Sequence, residues 1–337
     1  MRILIHFNPG RKKDIFAGAR LRKNLKGALE LNNIQWLDSV YAFPDVAHLL
    51  SPSDNDIAKY ARNEGIPVVV SALYSEEDPT ASFLMLDLQG HAILTPKARK
   101  TLELADLILV PNNFGKELVA KEFPSKRIEI VTPGVNPLRF EFAETASDLS
   151  FCRYERFSRC EKYYLTVGNY ADSETVKTLI AIAKLVPHTR FFFLGGGVGS
   201  KASPLKTLNK RSPSNLSFLP IINEDLYCSA LKNASGLLLF DSVMENTMAV
   251  LEAFASKTPV FHIGNLDESD AVKEYPNIIK NFNSAEEITN FITSFDKSSC
   301  EETIMKGYQV AEENNLLTLG KKLNELYKSL IFKEDYK

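Results

Sequence analysis

The chain lacks most of the features that would fix its chemistry at once. Its four cysteines, Cys152, Cys160, Cys228 and Cys300, form no Cys-x-x-Cys pair and no cluster with histidine. That argues against a disulfide framework and a structural zinc site, and it fits a reducing compartment. No sign of charge dominates: 40 Lys and Arg stand against 42 Asp and Glu, a net charge of -2, which excludes a nucleic-acid binder held by overall charge. Long hydrophobic runs are missing too. Ile66 to Leu73 and Phe191 to Leu194 fall far short of the ~18 residues that a membrane span needs. Met1 to Phe7 is too short for a secretory h-region and runs into Asn8-Pro9-Gly10 and a basic cluster, so no leader is expected. There is no repeat or low-complexity tract. The expectation is a cytoplasmic protein, at most peripheral on the inner face of the cell membrane.

What is present is an ordinary globular balance, 45% apolar and 24% charged, in 337 residues. At roughly 150 residues per domain, that length predicts two domains. Strand and helix signals alternate, which predicts parallel α/β sheets. Arg2 to Phe7, Asp45 to Leu49, Val68 to Leu73, Leu107 to Val110 and Ile128 to Val131 read as strands. Ile15 to Leu31, Ile57 to Glu64, Lys97 to Ala105 and a segment near Lys116 to Lys121 read as helices. Thr132-Pro-Gly-Val-Asn-Pro137 breaks the pattern as a hinge would. A second alternating set follows, with strands at Tyr163 to Val167, Arg190 to Leu194, Asn215 to Leu219, Gly236 to Phe240 and Pro259 to His262. Helices at Thr175 to Leu185, Asp225 to Asn233 and Met244 to Ser256 interleave with them, and Leu316 to Ile331 closes the chain. The expected architecture is two doubly wound halves with a cleft between them: 1–140, 141–312 and a closing helix in 313–337.

Ligands of open parallel sheets bind beyond the carboxyl ends of the strands, so the residues after each strand carry the chemistry. Asp241-Ser-Val-Met-Glu-Asn-Thr-Met-Ala-Val-Leu-Glu252 follows an apolar strand and opens a helix, with Asn246 as a candidate N-cap. Free amides at that terminus suit a phosphate. Glu245 and Glu252 lie two helical turns apart, ~10 Å on one face. Carboxylates so spaced suit two hydroxyl-bearing parts of an extended ligand, such as a sugar and a ribose; a solvated helix start is the plainer reading. Arg190-Phe-Phe-Phe-Leu194 runs into Gly195-Gly-Gly-Val-Gly199, where glycines let either a ligand or a tight turn approach the backbone. The Gly-x-Gly-x-x-Gly fingerprint is absent, and no acid occurs from Ser200 to Asn223, which argues against a nicotinamide cofactor. Lys201, Lys206, Lys210 and Arg211 face a diphosphate or form a solvated basic loop. Asp54-Asn-Asp56 reads as helix capping rather than a metal site. The five histidines show no ligand spacing, and His6 and His48 close their strands at the core or at the cleft rim.

Taken together, Tyr164-Leu-Thr-Val-Gly168, Phe193-Leu-Gly-Gly-Gly197, Asn215-Leu-Ser-Phe218 and Glu245 to Val260 resemble the donor domain of GT-B retaining glycosyltransferases of family 4. In the amino half, Asp45-Val-Ala-His48, Ala105-Asp-Leu-Ile-Leu-Val-Pro111 and Val131-Thr-Pro-Gly-Val-Asn136 are similar to segments of the same family. The resemblance spans residues 2 to about 262. It implies two Rossmann-like domains facing across a cleft and a nucleotide-sugar donor, UDP-linked, with no separate cofactor and no metal. It implies transfer with retention to a lipid or cell-surface polysaccharide acceptor, as part of cell-envelope synthesis. Glu245 takes the transferred sugar and Glu252 the ribose. Gly168, Asn169, Gly195, Gly196, Asn246, Thr247 and Met248 line the donor, and the acceptor side falls to His48 and Gly18. The chain departs from the family where Asn169 and a position near Glu174 replace an Arg and a Lys at the diphosphate; Lys177, Lys201 and Lys206 are the candidate substitutes. The glutamates are also one residue closer than usual, and Leu73-Tyr74 stand where the family often has histidine. These departures leave open a second reading, an inactive glycosyltransferase-like scaffold for an active partner.

One charge asymmetry remains. From Met1 to Val40 eight cations (Arg2, Arg11, Lys12, Lys13, Arg20, Arg22, Lys23, Lys26) outnumber three acids (Asp14, Glu30, Asp38), a local balance of +5. The stretch from Arg11 to Lys26, with Ile15 and Phe16, fits an anionic membrane surface or a solvated helix face.

Overall fold

The structure, a computed structural model, describes residues 1–7, 17–74, 83–89, 91–141, 150–158, 161–170, 172–196, 204–220, 222–240, 247–265 and 269–332; at 17–19, 86, 169, 196, 204 and 270 only the backbone is described. The chain forms two compact units. The first is Met1–Gly134 with Asn314–Lys337, and the second is Val135–Glu313.

In chain order the first unit contains β1 (Arg2–His6), α1 (Ala17–Leu31), β2 (Gln35–Leu37), β3 (Val46–Leu49), α2 (Asn55–Asn63) and β4 (Val68–Ser71). A hairpin of β5 (Leu84–Leu86) and β6 (Ala92–Leu94) follows, then α3 (Pro96–Glu103), β7 (Leu107–Val110), α4 (Asn113–Glu122) and β8 (Ile128–Ile130). The second unit contains α5 (Leu138–Glu141), α6 (Ser150–Tyr154), β9 (Tyr163–Asn169), α7 (Ser173–Leu185), β10 (Arg190–Gly196), α8 (Pro204–Arg211) and β11 (Leu216–Pro220). It continues through α9 (Glu224–Asn233), β12 (Gly236–Phe240), α10 (Thr247–Ala255), β13 (Val260–Ile263), α11 (Asp270–Glu274), β14 (Lys280–Phe282), α12 (Ala285–Ser294) and α13 (Glu301–Glu313). The last helix, α14 (Leu316–Ile331), belongs to the first unit.

Both main sheets are six-stranded and parallel. The first has the order β2-β1-β3-β4-β7-β8, the second β11-β10-β9-β12-β13-β14. Each order reverses once, between β1 and β3 in the first sheet and between β9 and β12 in the second. These are the switch points at which open α/β sheets bind ligands.

The sequence explains why both faces of the second sheet are covered. Along β9 and β10 the side chains alternate, and both sets are apolar. Tyr163, Leu165, Phe192 and Leu194 join one core cluster, while Tyr164, Phe191 and Phe193 join the other. A strand apolar on both faces is stable only between two helical layers. Helix starts are set by side chains that accept a backbone N–H: Thr95 for α3, Asn112 for α4, Asp172 for α7, Asn223 for α9, Ser284 for α12 and Asn315 for α14. The stretch expected as a basic loop is a helix, α8, which opens on Pro204. Proline at a first helical position gives up no intrahelical bond and arrives with φ already set, so it starts this helix rather than interrupting it.

The chain ends meet in the first unit. A Cβ on Gly320 of α14 would lie 2.2 Å from the Ala28 carbonyl oxygen and 2.0 Å from Asn32 Nδ2, so the two backbones touch there. Asn32 Nδ2 donates to Ala28 O at 2.9 Å and to Leu317 O at 3.2 Å, tying the end of α1 to the start of α14. Gly134, at φ +67°, leaves 2.6 Å between its missing Cβ and Leu319. Glycine is demanded there by both conformation and space.

Candidate functional site

At the second switch point, β9 ends on Gly168-Asn169 and β12 ends on Phe240, with α10 beginning seven residues later. Gly195 on β10 is forced by its neighbours: a Cβ would meet the Gly168 carbonyl oxygen at 2.5 Å and the Tyr170 ring at 2.8 Å. Tyr170 packs edge-on against Phe193 and Phe218 at the end of the sheet. The close approach that requires this glycine is therefore internal. Gly168 is not so constrained, since its missing Cβ would make only ordinary contact with Phe193. Gly196 pairs with Asn169 across the strands.

The helix α10 is apolar almost throughout, and all nine of its residues are buried. Thr247 and Met248 open it, and Glu252 is its single charge, 1% exposed. A carboxylate in such a place must be held by polar partners. Tyr227 on α9 donates its hydroxyl to Glu252 Oε2 at 2.8 Å. The adjacent Cys228 thiol is pushed up to about 11, mainly by burial; Arg139 opposes the shift, and Glu252, Glu224 and Asp225 add to it. Arg139, on α5, also pairs with Glu224. Its Nε is buried and has no hydrogen-bond partner among the described residues. Glu252, Tyr227, Cys228 and Arg139 thus form one charged neighbourhood at the second sheet. Neither Tyr227 nor Arg139 was marked by any sequence pattern, because each reaches Glu252 through tertiary packing. Glu245, Asn246 and Lys201 lie outside the described residues, so the spacing of the two glutamates is not on view.

The amino end of α7, directly after β9, is already occupied. Asp172 Oδ1 accepts from the amides of Glu174 and Thr175, both at 3.2 Å, and Oδ2 accepts from Thr175 Oγ1 at 2.7 Å. Two of the amides that a phosphate would use are therefore held by a carboxylate. Lys177 is exposed and bound to Glu174 at 2.6 Å, and Lys206 is exposed on α8. The structure does not bring these two lysines to Glu252 by any contact it shows.

In the first unit, Gly18 lies in the first turn of α1, where only the backbone is described. His48 is not at a rim. It is wholly buried, with Nδ1 2.6 Å from the Tyr327 hydroxyl and Nε2 2.7 Å from Ser71 Oγ. Ser71 in turn bonds Tyr74, whose hydroxyl donates to Val131 O at 2.6 Å. Donation can run one way along the whole chain: Tyr327 to His48, His48 Nε2–H to Ser71, Ser71 to Tyr74, Tyr74 to the backbone. Every member is satisfied, as a buried polar network requires. Both His48 nitrogens are consumed inside the unit, so no atom of it is left for an acceptor. Burial takes its pKa down to about 3.

Among the described residues there is no group of three or more His, Cys, Asp and Glu arranged to hold a metal ion. No helix among them is long and apolar enough to cross a membrane.

The sequence matches no protein-family model and no curated protein. Solved structures do share the fold. Sucrose-phosphate synthase from Thermosynechococcus elongatus superposes with a TM-score of 0.74 at 12% identity, over 99% of this chain and 100% of that one. HepE of Anabaena, in complex with UDP and glucose, gives 0.70 at 11% identity, over 97% of this chain and 99% of that one. WaaG, a glycosyltransferase involved in lipopolysaccharide biosynthesis, gives 0.63 at 13% identity, over 97% and 99%. The fold is GT-B, two Rossmann-like parallel-sheet units, as the sequence reading expected. At this level of identity the fold is what these proteins share with the chain.

Proposed function

We propose that the protein is a glycosyltransferase that takes a sugar from a nucleotide-sugar, UDP-linked, and passes it to a lipid or polysaccharide acceptor. The observation that carries the reading is Glu252: a carboxylate fixed by Tyr227 on the helix that follows β12, at the switch point of a sheet whose fold is GT-B. Two adjacent ribose hydroxyls are matched by two carboxylate oxygens, and a charged acceptor strengthens each bond. Structures of the same fold, HepE among them, hold UDP and glucose, which supports UDP as the carrier. In this reading Glu245 contacts the transferred sugar. Gly168, Asn169, Gly195, Gly196, Asn246, Thr247 and Met248 border the donor. The family resemblance adds retention at the anomeric carbon and a hexosyl donor.

The phosphate end is where this chain is unlike its family. With Asp172 on the amino end of α7, the diphosphate is left to the amino end of α10, to Arg139, and to Lys201 or Lys206. An inactive scaffold is the second reading, suggested by Asn169, Glu174, the closer glutamates and the capped α7; the glycosyltransferases that share the fold do not favour it.

Glu252→Gln removes the charge and keeps the shape. It is expected to weaken UDP binding by about 1.5–3 kcal/mol, on the order of 10- to 100-fold, with little change in thermal unfolding. Isothermal titration of both proteins with UDP decides it, and equal affinity would remove Glu252 from the donor site.

The basic stretch from Arg11 to Lys26 is proposed as the contact with an anionic membrane face. Its first cations lie outside the described residues. Arg22 and Lys26 share Asp38, at 2.5 and 2.7 Å, and Lys26 sits 3.5 Å above the Trp36 ring, so two of the eight cations are engaged within the first unit. Co-sedimentation with anionic vesicles should be strong at low salt and weaken as salt rises, because exposed charges are screened beyond ~8 Å at physiological ionic strength. Equal pelleting with neutral vesicles would contradict it.

A further inference from the structure

Between α12 and α13 a single 3-10 turn, Lys297–Cys300, carries an amine and a thiol that the glycosyl-transfer reading does not use. Asp296 closes its amino end by accepting from Ser298 N at 3.2 Å. Side chains three residues apart eclipse in a 3-10 turn, so Lys297 and Cys300 leave the same edge. The thiol lies back over the turn, where Cys300 Sγ donates to Lys297 O at 3.3 Å. Lys297 Nζ reaches Lys232 O, in the last turn of α9, at 3.5 Å. Amine and thiol each lie in the other's electrostatic field.

Both side chains are half-buried. Cys300 packs against the apolar cluster that contains Tyr164, Phe261 and Phe295. Burial pulls the Lys297 ammonium down to about 8; Cys300 opposes the shift and Lys232 adds to it. A lysine so perturbed carries a usable lone pair in weakly alkaline solution. Burial also raises the Cys300 thiol, which Lys297 opposes and Asp296 reinforces. The thiol therefore keeps its proton until a base takes it, and the base beside it is the Lys297 amine.

A separate observation lies under the turn. Tyr164, the second residue of β9, is 1% exposed, and its hydroxyl has no hydrogen-bond partner among the described residues. Its ring is stacked on Phe191 at 5.9 Å and tilted against Phe261 at 6.3 Å. Burial raises the pKa of this hydroxyl, and the charge of Cys300 raises it further, so hydroxyl and sulfur are neighbours. A buried hydroxyl without a partner costs stability. Here it is a spare donor beside a nucleophile and a base, the set of groups that acyl transfer requires.

We propose that Lys297 is a self-acylation site, at which Cys300 takes an acyl group from an acyl thioester and passes it to Lys297 Nζ while the Tyr164 hydroxyl donates to the oxyanion of each step. In the first step Lys297 Nζ accepts the thiol proton as Cys300 Sγ attacks the thioester carbon. A new C–S bond forms, the donor's C–S bond breaks, and the departing thiolate takes the proton from Lys297. In the second step Lys297 Nζ attacks the Cys300 thioester. The C–N bond forms, the C–S bond breaks, and the amine's proton goes to the sulfur. The product is an amide on Lys297 with the Cys300 thiol restored. The turn stands at the amino edge of the second sheet, where β9 begins, so the proposal is independent of the donor reading at the carboxyl edge.

The test uses the full chain at pH 8 with acetyl-CoA as the probe, and peptide mass spectrometry follows acetylation lysine by lysine. Lys297 is expected to react about 10-fold or more faster than the exposed Lys121 and Lys184 of the same molecule, because the acyl group is delivered within the turn. Cys300→Ser should bring Lys297 down to the rate of those two lysines. Lys297→Arg should leave the acetyl group on Cys300 as a thioester that hydroxylamine removes. Tyr164→Phe should slow acetylation while unfolding no lower than wild type, since the hydroxyl it removes has no partner to lose. A wild-type Lys297 no faster than Lys121, an equal rate in Cys300→Ser, or a Lys297→Arg protein with no thioester on Cys300 overturns the proposal. The wild-type comparison and the trapped thioester decide the matter even where the serine variant folds poorly.

Discussion

Gly320→Val is expected to unseat α14 and leave a protein that unfolds far below wild type. A Cβ at this position would sit 2.2 Å from a carbonyl oxygen of α1 and 2.0 Å from Asn32 Nδ2. The first obstacle is backbone, which cannot swing aside as a side-chain end can. Overpacking costs typically about 1–3 kcal/mol when side chains can adjust, so a backbone clash belongs at or above the top of that range. The damage should spread. Parting the helices breaks the Asn32 bond to Leu317 and withdraws Leu316 from Gly27 and Leu319 from Gly134. It also pulls Tyr327 off His48. Urea unfolding measures the loss, and a midpoint equal to wild type would show that α1 and α14 do not pack at this distance in solution.

The second large effect is acid sensitivity through His48. The unfolded ring takes a proton near 6.5, while burial holds the folded ring neutral down to about 3. The unfolded state therefore binds more protons throughout that window. His48's contribution to stability is whole above 6.5 and drains as the pH falls toward 3, at up to about 1.4 kcal/mol per pH unit. Carboxylates add their own slopes, so the informative quantity is a difference between proteins. His48→Gln should be less stable than wild type at pH 7.5, because the donor chain from Tyr327 to Ser71 is broken. The gap should narrow steadily down to pH 4.5. Tyr327→Phe should cost about 1–3 kcal/mol at neutral pH by leaving a buried nitrogen without its donor, and should keep the acid slope. Parallel stability curves for wild type and His48→Gln would contradict the burial of a neutral ring.

Central strands were legible because they bury both faces. Leu107–Val110 and Gly236–Phe240 fall where their apolar runs place them, and α14 spans the residues its amphipathic pattern marks. Of the four edge strands, β8 and β11 were read from their apolar residues and the other two were not. Gln35–Leu37 and Lys280–Phe282 are three residues each and partly exposed, so pairing defines them and composition does not. At the site, Glu252 stood out through its two-turn separation from Glu245 and through the family resemblance. Tyr227 and Arg139 did not, since a hydroxyl 25 residues away becomes a partner only when α9 packs on α10. Asp54 was read as a cap because its position is that of a cap. Its side chain makes no capping bond, and Oδ1 lies 3.4 Å from Nε2 of His6, 48 residues back in the chain. The strand-end position of His48 left the core and the rim both open, and the two hydroxyls that consume its nitrogens in the core come from β4 and α14.

The central claim, that the GT-B fold of this chain serves a nucleotide-sugar, is tested most directly by following UDP release. Purified wild-type protein is incubated with UDP-glucose, UDP-galactose and UDP-N-acetylglucosamine, with GDP- and TDP-glucose as controls, and the free nucleotide is measured. Release of UDP from at least one UDP-sugar, falling in Glu252→Gln, is the predicted result. Wild-type protein that releases no nucleotide and shows no calorimetric binding to any of the five would contradict the claim and leave the chain as a scaffold.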